Sequence, residues 1–438
     1  MPQYLTPLQI FENYKNANPQ KCKGKSTTEI CKLAGLSDKQ IAELKSTSAW
    51  LFCYENENTS KNQDFSITEI FGGHFNQTKT KSEPETKFNS YSEGLDRHIS
   101  VIQVGIEDFY FNPSFPRPQP KIAEVIVPQL KKIGRELGIL ILPTEKDGAW
   151  IEDKVIRLHD NSIYTPNFDC NRGYNVILEN STRCSKGSLS VQGEASKSLL
   201  YSKVARTGKS YVEGGNALIT NNSNGEPSAI IGEDSLYYTL QALNLEITPK
   251  NIEKAKKVIA EELHLDRKNV VYIPQIDFHI DMYYRPLHNG EIAVPDYSSA
   301  IEILKNNDFG IDANSKKYLI SRLTYTNEKM ENILKNAEKE LTENNYKIVK
   351  VPCFNFPSFE ANWDEDTKNF IRINYMNGIC GTTANDETFF ITNSSGYKKL
   401  DSYMKKFFKE IGIDKPYFVS TQSLLYYSGG LDCITQEM

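Results

Sequence analysis

The stretch Ser428-Gly429-Gly430-Leu431-Asp432-Cys433-Ile434-Thr435-Gln436-Glu437-Met438 sets a lone cysteine between a glycine pair and a Thr-Gln step. Glycine lets the backbone turn tightly and approach a ligand closely, and cysteine is the side chain nearby that readily forms a covalent bond to carbon. Cys433 therefore reads as a nucleophile placed by a tight turn. A late cysteine can equally be a small buried hydrophobe, so its chemistry must be argued from what accompanies it. Three clusters built on carboxylate or imidazole precede it: Trp150-Ile151-Glu152-Asp153, Val212-Glu213-Gly214-Gly215-Asn216 and Asp277-Phe278-His279-Ile280-Asp281. Alternation along a strand would turn Asp277, His279 and Asp281 to one face, and ionisable groups gathered so are costly to bury without a task.

In this order, and with the terminal Gly-Gly-x-x-Cys-x-Thr-Gln, the series resembles the guanidino-group-modifying enzymes: arginine and agmatine deiminases, the bacterial peptidylarginine deiminase and the amidinotransferases. Agmatine deiminase is closest at the cysteine, and the acidic clusters resemble its Trp-x-Arg-Asp, Glu-Gly-Gly and His-x-Asp signatures. Glu152 departs from that pattern, standing where the family has arginine. The segment Tyr375-Met376-Asn377 resembles the family's Tyr-x-Asn strand, although Asn377-Gly378 is also a strong turn signal. Cys380-Gly381-Thr382 matches the nucleophile motif of the animal peptidylarginine deiminases and makes Cys380 the alternative nucleophile.

What the resemblance implies follows from the chemistry of a guanidinium. This group is planar and always cationic, so an enzyme must grip it with carboxylates, attack its carbon with a strong nucleophile and protonate the departing nitrogen. Cys433 would form a covalent amidino-thioether. His279 would serve as general acid and then as general base toward water, with Glu213 orienting it or sharing in substrate binding. Asp153 and Asp281 would hold the guanidinium nitrogens, with Trp150 and Asn377 completing the substrate site. A free thiol titrates near ~8.5 and needs a positive field, from His279 or from the bound cation, to ionise at neutral pH. No metal or organic cofactor is implied, since thiol, imidazole and carboxylates supply the mechanism.

The expected activity is a deiminase, a hydrolase of a C–N bond in a linear amidine, acting on an agmatine-like or peptidyl-arginine guanidine; agmatine would tie it to putrescine biosynthesis. Amine in place of water as acceptor would make it an amidinotransferase, and an inactive binding protein on the same scaffold is a third reading. A cysteine protease would leave the Glu-Gly-Gly and Trp-x-x-Asp clusters unexplained. Arg157, Arg206 and Arg285 lie near the motifs and any could meet a substrate carboxylate.

The elements that must position these residues read as α/β. Helix-then-strand units recur at Pro128 to Leu142, Ile252 to Ile273, Asn327 to Val351 and Gly396 to Thr421. The resemblance implies a pentein-type α/β propeller of five ββαβ modules over residues 96–438, with the motifs on loops and strand ends at its centre. Residues 1–95 read as an N-terminal, mostly helical extension, with periodic apolar residues at Thr6 to Tyr14 and Ser26 to Lys45, followed by a polar linker in which Phe65 to Phe71 looks ordered. No Gly-x-Gly-x-x-Gly follows an early strand and no phosphate-loop motif occurs, so nucleotide binding has no motif to rest on.

Composition narrows the class. A 438-residue chain that is 39% apolar and 11% aromatic can bury a large core and is too apolar for a disordered protein. Interspersed charges summing to −5 give no basic stripe for nucleic acid, and no apolar window is long enough for a membrane span. The expected partner is a small guanidine or an arginine-bearing protein, with a homo-oligomer as an option. The start Met1-Pro2-Gln3-Tyr4 lacks secretory-signal features, which makes the cytoplasm the expected location and signal-independent secretion the alternative. The eight cysteines show no paired spacing of a zinc site or disulfide framework.

Overall fold

The apolar spacing after Pro128 is realised as the helix Val127–Leu137, which buries Leu130, Ile133 and Leu137 and stops at Gly138, whose φ of 73° is left-handed. The chain then enters the strand Leu140–Thr144. In this computed structural model the chain divides into two compact units, Met1–Phe88 and Asn89–Met438. The structure describes residues 92–106, 120–144, 149–160, 162–166, 205–288, 290–357, 371–427 and 429–437 of the larger unit. In the smaller it describes 14, 18–22, 25, 27–38 and 41. The expected helix at Thr6 to Tyr14, apart from its last residue, and the polar linker with Phe65 to Phe71 lie outside the described residues.

The smaller unit holds the helices Pro19–Cys22 and Thr27–Leu33, with Cys22, Ile30, Cys31, Leu36 and Ile41 packed together. Of the apolar residues expected on one face after Ser26, Ile30, Leu36 and Ile41 are buried, whereas Leu33 is exposed.

The larger unit contains, among the described residues, five three-stranded sheets, each with one antiparallel and one parallel pairing. Val101–Gly105 runs parallel to Leu140–Thr144 and antiparallel to Thr435–Glu437, so the strand after Cys433 closes on the first sheet of the unit. Ile163–Thr165 lies between Ile156–Arg157 and Ala205–Thr207. Pro227–Gly232 lies between Ala217–Asn221 and Val270–Ile273. Glu291–Asp296 lies between Arg285–Pro286 and Lys347–Pro352. Thr388–Asn393 lies between Gly378–Thr382 and Lys415–Val419.

A parallel partner requires a crossover, and helices supply it. Pro249–Glu262 begins at Thr248, whose hydroxyl caps Asn251 N, and leads to Val270–Ile273. Lys398–Glu410 leads to Lys415–Val419. The helix expected from Asn327 starts earlier and runs over Ala313–Glu343, capped by the Asp312 carboxylate on Ser315 N. Leu319, Leu323, Met330, Leu334 and Leu341 form its buried stripe. Polar residues outside that stripe mask the helix's first half in the sequence.

Each middle strand is buried on both faces, as in Thr388–Asn393 and Pro227–Gly232, where the sole exposed residue is Pro227. Loops at the sheet ends therefore carry the side chains that meet between sheets. No described helix is long and apolar enough to cross a membrane.

Candidate active site

Cys433 sits in the short turn Asp432–Ile434 immediately before the final strand, and it is 2% exposed. Asn377, at the end of the loop entering Gly378–Thr382, donates its Nδ2 to Cys433 Sγ at 3.4 Å and to Asp281 Oδ2 at 2.6 Å. The Cys433 thiol in turn points at Asp281 Oδ2, 3.6 Å away. The Asn377 side-chain oxygen accepts from Asp432 N at 3.0 Å, which ties the turn bearing the thiol to the strand entry beside it. Asn377 therefore ends no hairpin; the residues joining Gly378–Thr382 to Thr388–Asn393 come later, at 383–387.

His279 lies between two carboxylates. Its Nε2 is 2.8 Å from Glu213 Oε2, and its Nδ1 is 3.4 Å from Asp153 Oδ1. Tyr211 donates its hydroxyl to the other Glu213 oxygen at 2.7 Å, fixing the carboxylate. His279, Glu213 and Asp153 are all buried, so the imidazole's orientation is set on both sides.

The expected strand alternation over 277–281 is not what positions these groups. The segment is a loop following Val270–Ile273, and Asp277 turns inward on its own backbone, accepting from Phe278 N at 2.9 Å and from the Tyr283 hydroxyl at 3.4 Å. Asp277 acts there as a loop brace. Asp281 N donates to Gly215 O at 3.1 Å, so the His-x-Asp loop is seated on the Glu-Gly-Gly turn.

Close approach explains two of the glycines. A Cβ on Gly215 would lie 2.5 Å from His279 Nδ1, and a Cβ on Gly429 would fall within the Trp150 indole. Side chains at these positions would push the histidine and the tryptophan out of place. Trp150 is thereby packed against Gly429, the first of the glycine pair that precedes Cys433. Asn393 adds support, its Oδ1 accepting from Leu431 N at 3.0 Å and its Nδ2 donating to Asn377 O at 2.6 Å.

The electrostatics are acidic. Burial, then the charges of Asp281, Glu152 and Asp153, push the Cys433 thiol well above its ordinary range, so without a cation it is a thiol. Burial pushes the Asp281 carboxyl up to about 6, against the pull of His279. Burial and the neighbouring Asp432 and Asp281 push Glu152 well above the usual carboxylate range. The acidic atoms of Glu152, Asp281 and Cys433 all lie within 4.8 Å of one another, a donor set that suits a cation. Arg285 does not face outward to meet a substrate carboxylate: it is buried and paired with Asp432. Arg157 lines a polar chamber shared with Glu93, Arg97 and Glu437. Arg206 lies on the strand Ala205–Thr207.

Cys380 is placed elsewhere. It lies within the strand Gly378–Thr382, where its thiol points at Pro286 O at 3.5 Å, and burial pushes it up to about 12. The charged groups acting on it, Arg285, Arg97, Asp432 and Glu437, include none of the catalytic candidates. The structure thus brings Cys433, Asp281 and Asn377 into one group and His279, Glu213 and Asp153 into another, with Asp281 and His279 interacting electrostatically.

No family model matches the sequence, and no curated protein does. Solved structures match over most of the chain. Agmatine deiminase from C. jejuni is 13% identical, covering 79% of this chain and 96% of that one, with a TM-score of 0.43. Agmatine deiminase from Enterococcus faecalis is 15% identical, covering 80% and 95%, with a TM-score of 0.46. The N-terminal domain of ArgZ, an arginine dihydrolase from cyanobacteria, is 14% identical, covering 78% and 97%, with a TM-score of 0.38. Two of these three are named as agmatine deiminases and the third as an arginine dihydrolase.

Sequence reasoning passed over Tyr211, Asn393, Asp432 and Glu152 as members of the site. Tyr211 and Asp432 lie within two residues of motif members, and such neighbours are the signal that was present. Asn393, far from any motif, gave none.

Proposed function

We propose that this protein is a cysteine-dependent deiminase that hydrolyses a guanidine C–N bond to a ureide and ammonia, with residues 96–438 as its catalytic domain and 1–95 as an extension. The observation that carries the reading is Cys433 Sγ, contacted by Asn377 and Asp281 in a buried acidic site that also holds the His279–Glu213 pair. An acidic, desolvated pocket around a thiol favours a cationic substrate, and a planar cation with several N–H donors matches converging carboxylates.

In this reading Asp281 and Asp153 take the guanidinium N–H groups. The incoming positive charge offsets the acidic field that holds the Cys433 thiol protonated; the thiol passes its proton to His279, and the thiolate attacks the guanidine carbon. His279, oriented by Glu213, protonates the departing nitrogen; ammonia leaves, and an amidino-thioether remains. His279 then takes a proton from water, whose oxygen attacks the same carbon and returns the thiol with release of the ureide. Trp150 forms the wall above Gly429 that excludes bulk water. Agmatine-like and peptidyl-arginine guanidines are the substrate classes, in a cytoplasmic setting, and the five sheets are read as the modules of a pentein-type propeller.

The experiment is ammonia and ureide release by wild type, Cys433→Ala and Cys380→Ala on agmatine, arginine and an arginine-containing peptide. Release that needs Cys433 and not Cys380 supports the reading and names the substrate class. Release unchanged in Cys433→Ala would remove the nucleophile from it, and amidino transfer to an added amine without hydrolysis would move it to the amidinotransferases.

A further inference from the structure

Glu152 replaces an arginine in the signature that the Trp-x-x-Asp cluster resembles, yet its carboxylate lies within 4.8 Å of both the Asp281 carboxylate and the Cys433 thiol. Glu152 Oε2 and Asp281 Oδ1 are both closed off from solvent and accept no hydrogen bond from the described residues, and as two ionised carboxylates neither could offer the other a donor. Asp281 Oδ2 is already occupied by the Asn377 amide at 2.6 Å. Two desolvated carboxyl groups this close are held together favourably only with a proton between them.

The surroundings favour that proton. On one side stand the Cys433 thiol and Asp153, with His279 acting on Asp281. On the other, Asp432 and Glu437 add negative charge at Glu152, and Arg285, the cation that acts on it, is paired with Asp432. Farther across the chamber Arg97 faces Glu437 at 3.3 Å, beside Glu93 and Arg157. Acidic groups thus converge on Glu152 with their nearest cations already paired to other acids.

We infer that Glu152 is a third carboxyl group of the guanidinium seat, sharing a proton with Asp281 while the seat is empty and ionising when the cation enters. The inference rests on the guanidine reading and deepens it. In the binding step the carboxylic O–H bond breaks, its proton passes to the solvent buffer, and the guanidinium N–H groups take over the two oxygens. One positive charge enters and one leaves, so the buried site keeps its net charge. Glu152 is in this sense a substrate-binding group, and it makes affinity depend on pH by up to about tenfold per unit below the titration of the pair.

Calorimetric titration of the Cys433→Ala protein with agmatine, arginine and an arginine-containing peptide, in two buffers of different ionisation heat near neutral pH, counts the protons. The Cys433→Ala background removes any proton from the thiol. About one proton released per cation bound is expected, falling to near none when Glu152→Gln is added, because glutamine keeps a donor on Asp281 but has no proton to lose. The double variant should also bind about tenfold or more weakly and with a flattened pH dependence. No binding by Cys433→Ala would bring down the guanidine reading and this inference with it. Binding without proton release, or equal release in the double variant, would overturn the inference alone.

Discussion

One amide nitrogen of Asn377 is shared between Asp281 Oδ2 at 2.6 Å and Cys433 Sγ at 3.4 Å, so a residue with no acid–base chemistry of its own fixes the proposed nucleophile against a proposed substrate carboxylate. Loss of this amide leaves a buried carboxylate short of its donor and the Asp432 amide short of its acceptor. Asn377→Ala should lower stability by about 1–3 kcal/mol and slow turnover by about tenfold to a hundredfold. Thermal unfolding and steady-state rates check both, and wild-type turnover would exclude the shared contact from the reaction.

Gly215 leaves room for His279 alone. Gly215→Ala, with its Cβ 2.5 Å from Nδ1 in the present arrangement, should shift the imidazole off Glu213 and cut kcat by about a hundredfold. The overpacking should cost about 1–3 kcal/mol, read as a lowered Tm in a protein that still folds. Unchanged kcat in a folded Gly215→Ala protein would contradict the placement of His279.

The thiol's surroundings predict its reactivity. Because burial and three acidic neighbours hold Cys433 well above its ordinary range, the empty protein should alkylate slowly with iodoacetamide at neutral pH and faster as pH rises past the ordinary thiol range. Timed labelling followed by peptide mass measurement separates Cys433 from the other thiols. A labelling midpoint near or below neutral pH would show a thiolate already present, and the role given to the incoming cation would fall.

Asp281 costs the fold stability where the enzyme would work. Its carboxyl is raised from an ordinary 3.8 to about 6, so the folded protein binds its proton more tightly than the unfolded chain does. That contribution is fully present below about 3.8 and is lost as pH rises through about 6. Asp281→Asn should therefore gain on the order of 2 kcal/mol at neutral pH and little in acid, while losing activity. Denaturant unfolding of both proteins across this range tests it, and a gain that grows toward acid would reverse the sign.

The sequence by itself determined which atoms are available for chemistry: a thiol after a glycine pair, an imidazole two residues from a carboxylate, and a Glu-Gly-Gly turn. These are local patterns, and glycine pairs beside reactive residues mark close approach because only an absent Cβ permits it. The helix-then-strand alternation was legible for the same reason, since the periodicity that buries Leu130, Ile133 and Leu137 is written in consecutive residues. Tertiary structure decided which way the side chains face. Asp277 follows the pattern of Asp281 in sequence yet braces its own loop, because a loop does not obey the alternation of a strand. Arg285, as plausible a carboxylate partner as any in the sequence, is consumed by Asp432. Glu152, a departure from the pattern when read along the chain, meets Asp281 and Cys433 across 129 and 281 residues of sequence, since 281 − 152 = 129 and 433 − 152 = 281. Such meetings depend on how separate sheets pack their end loops together, and no spacing within one segment records that.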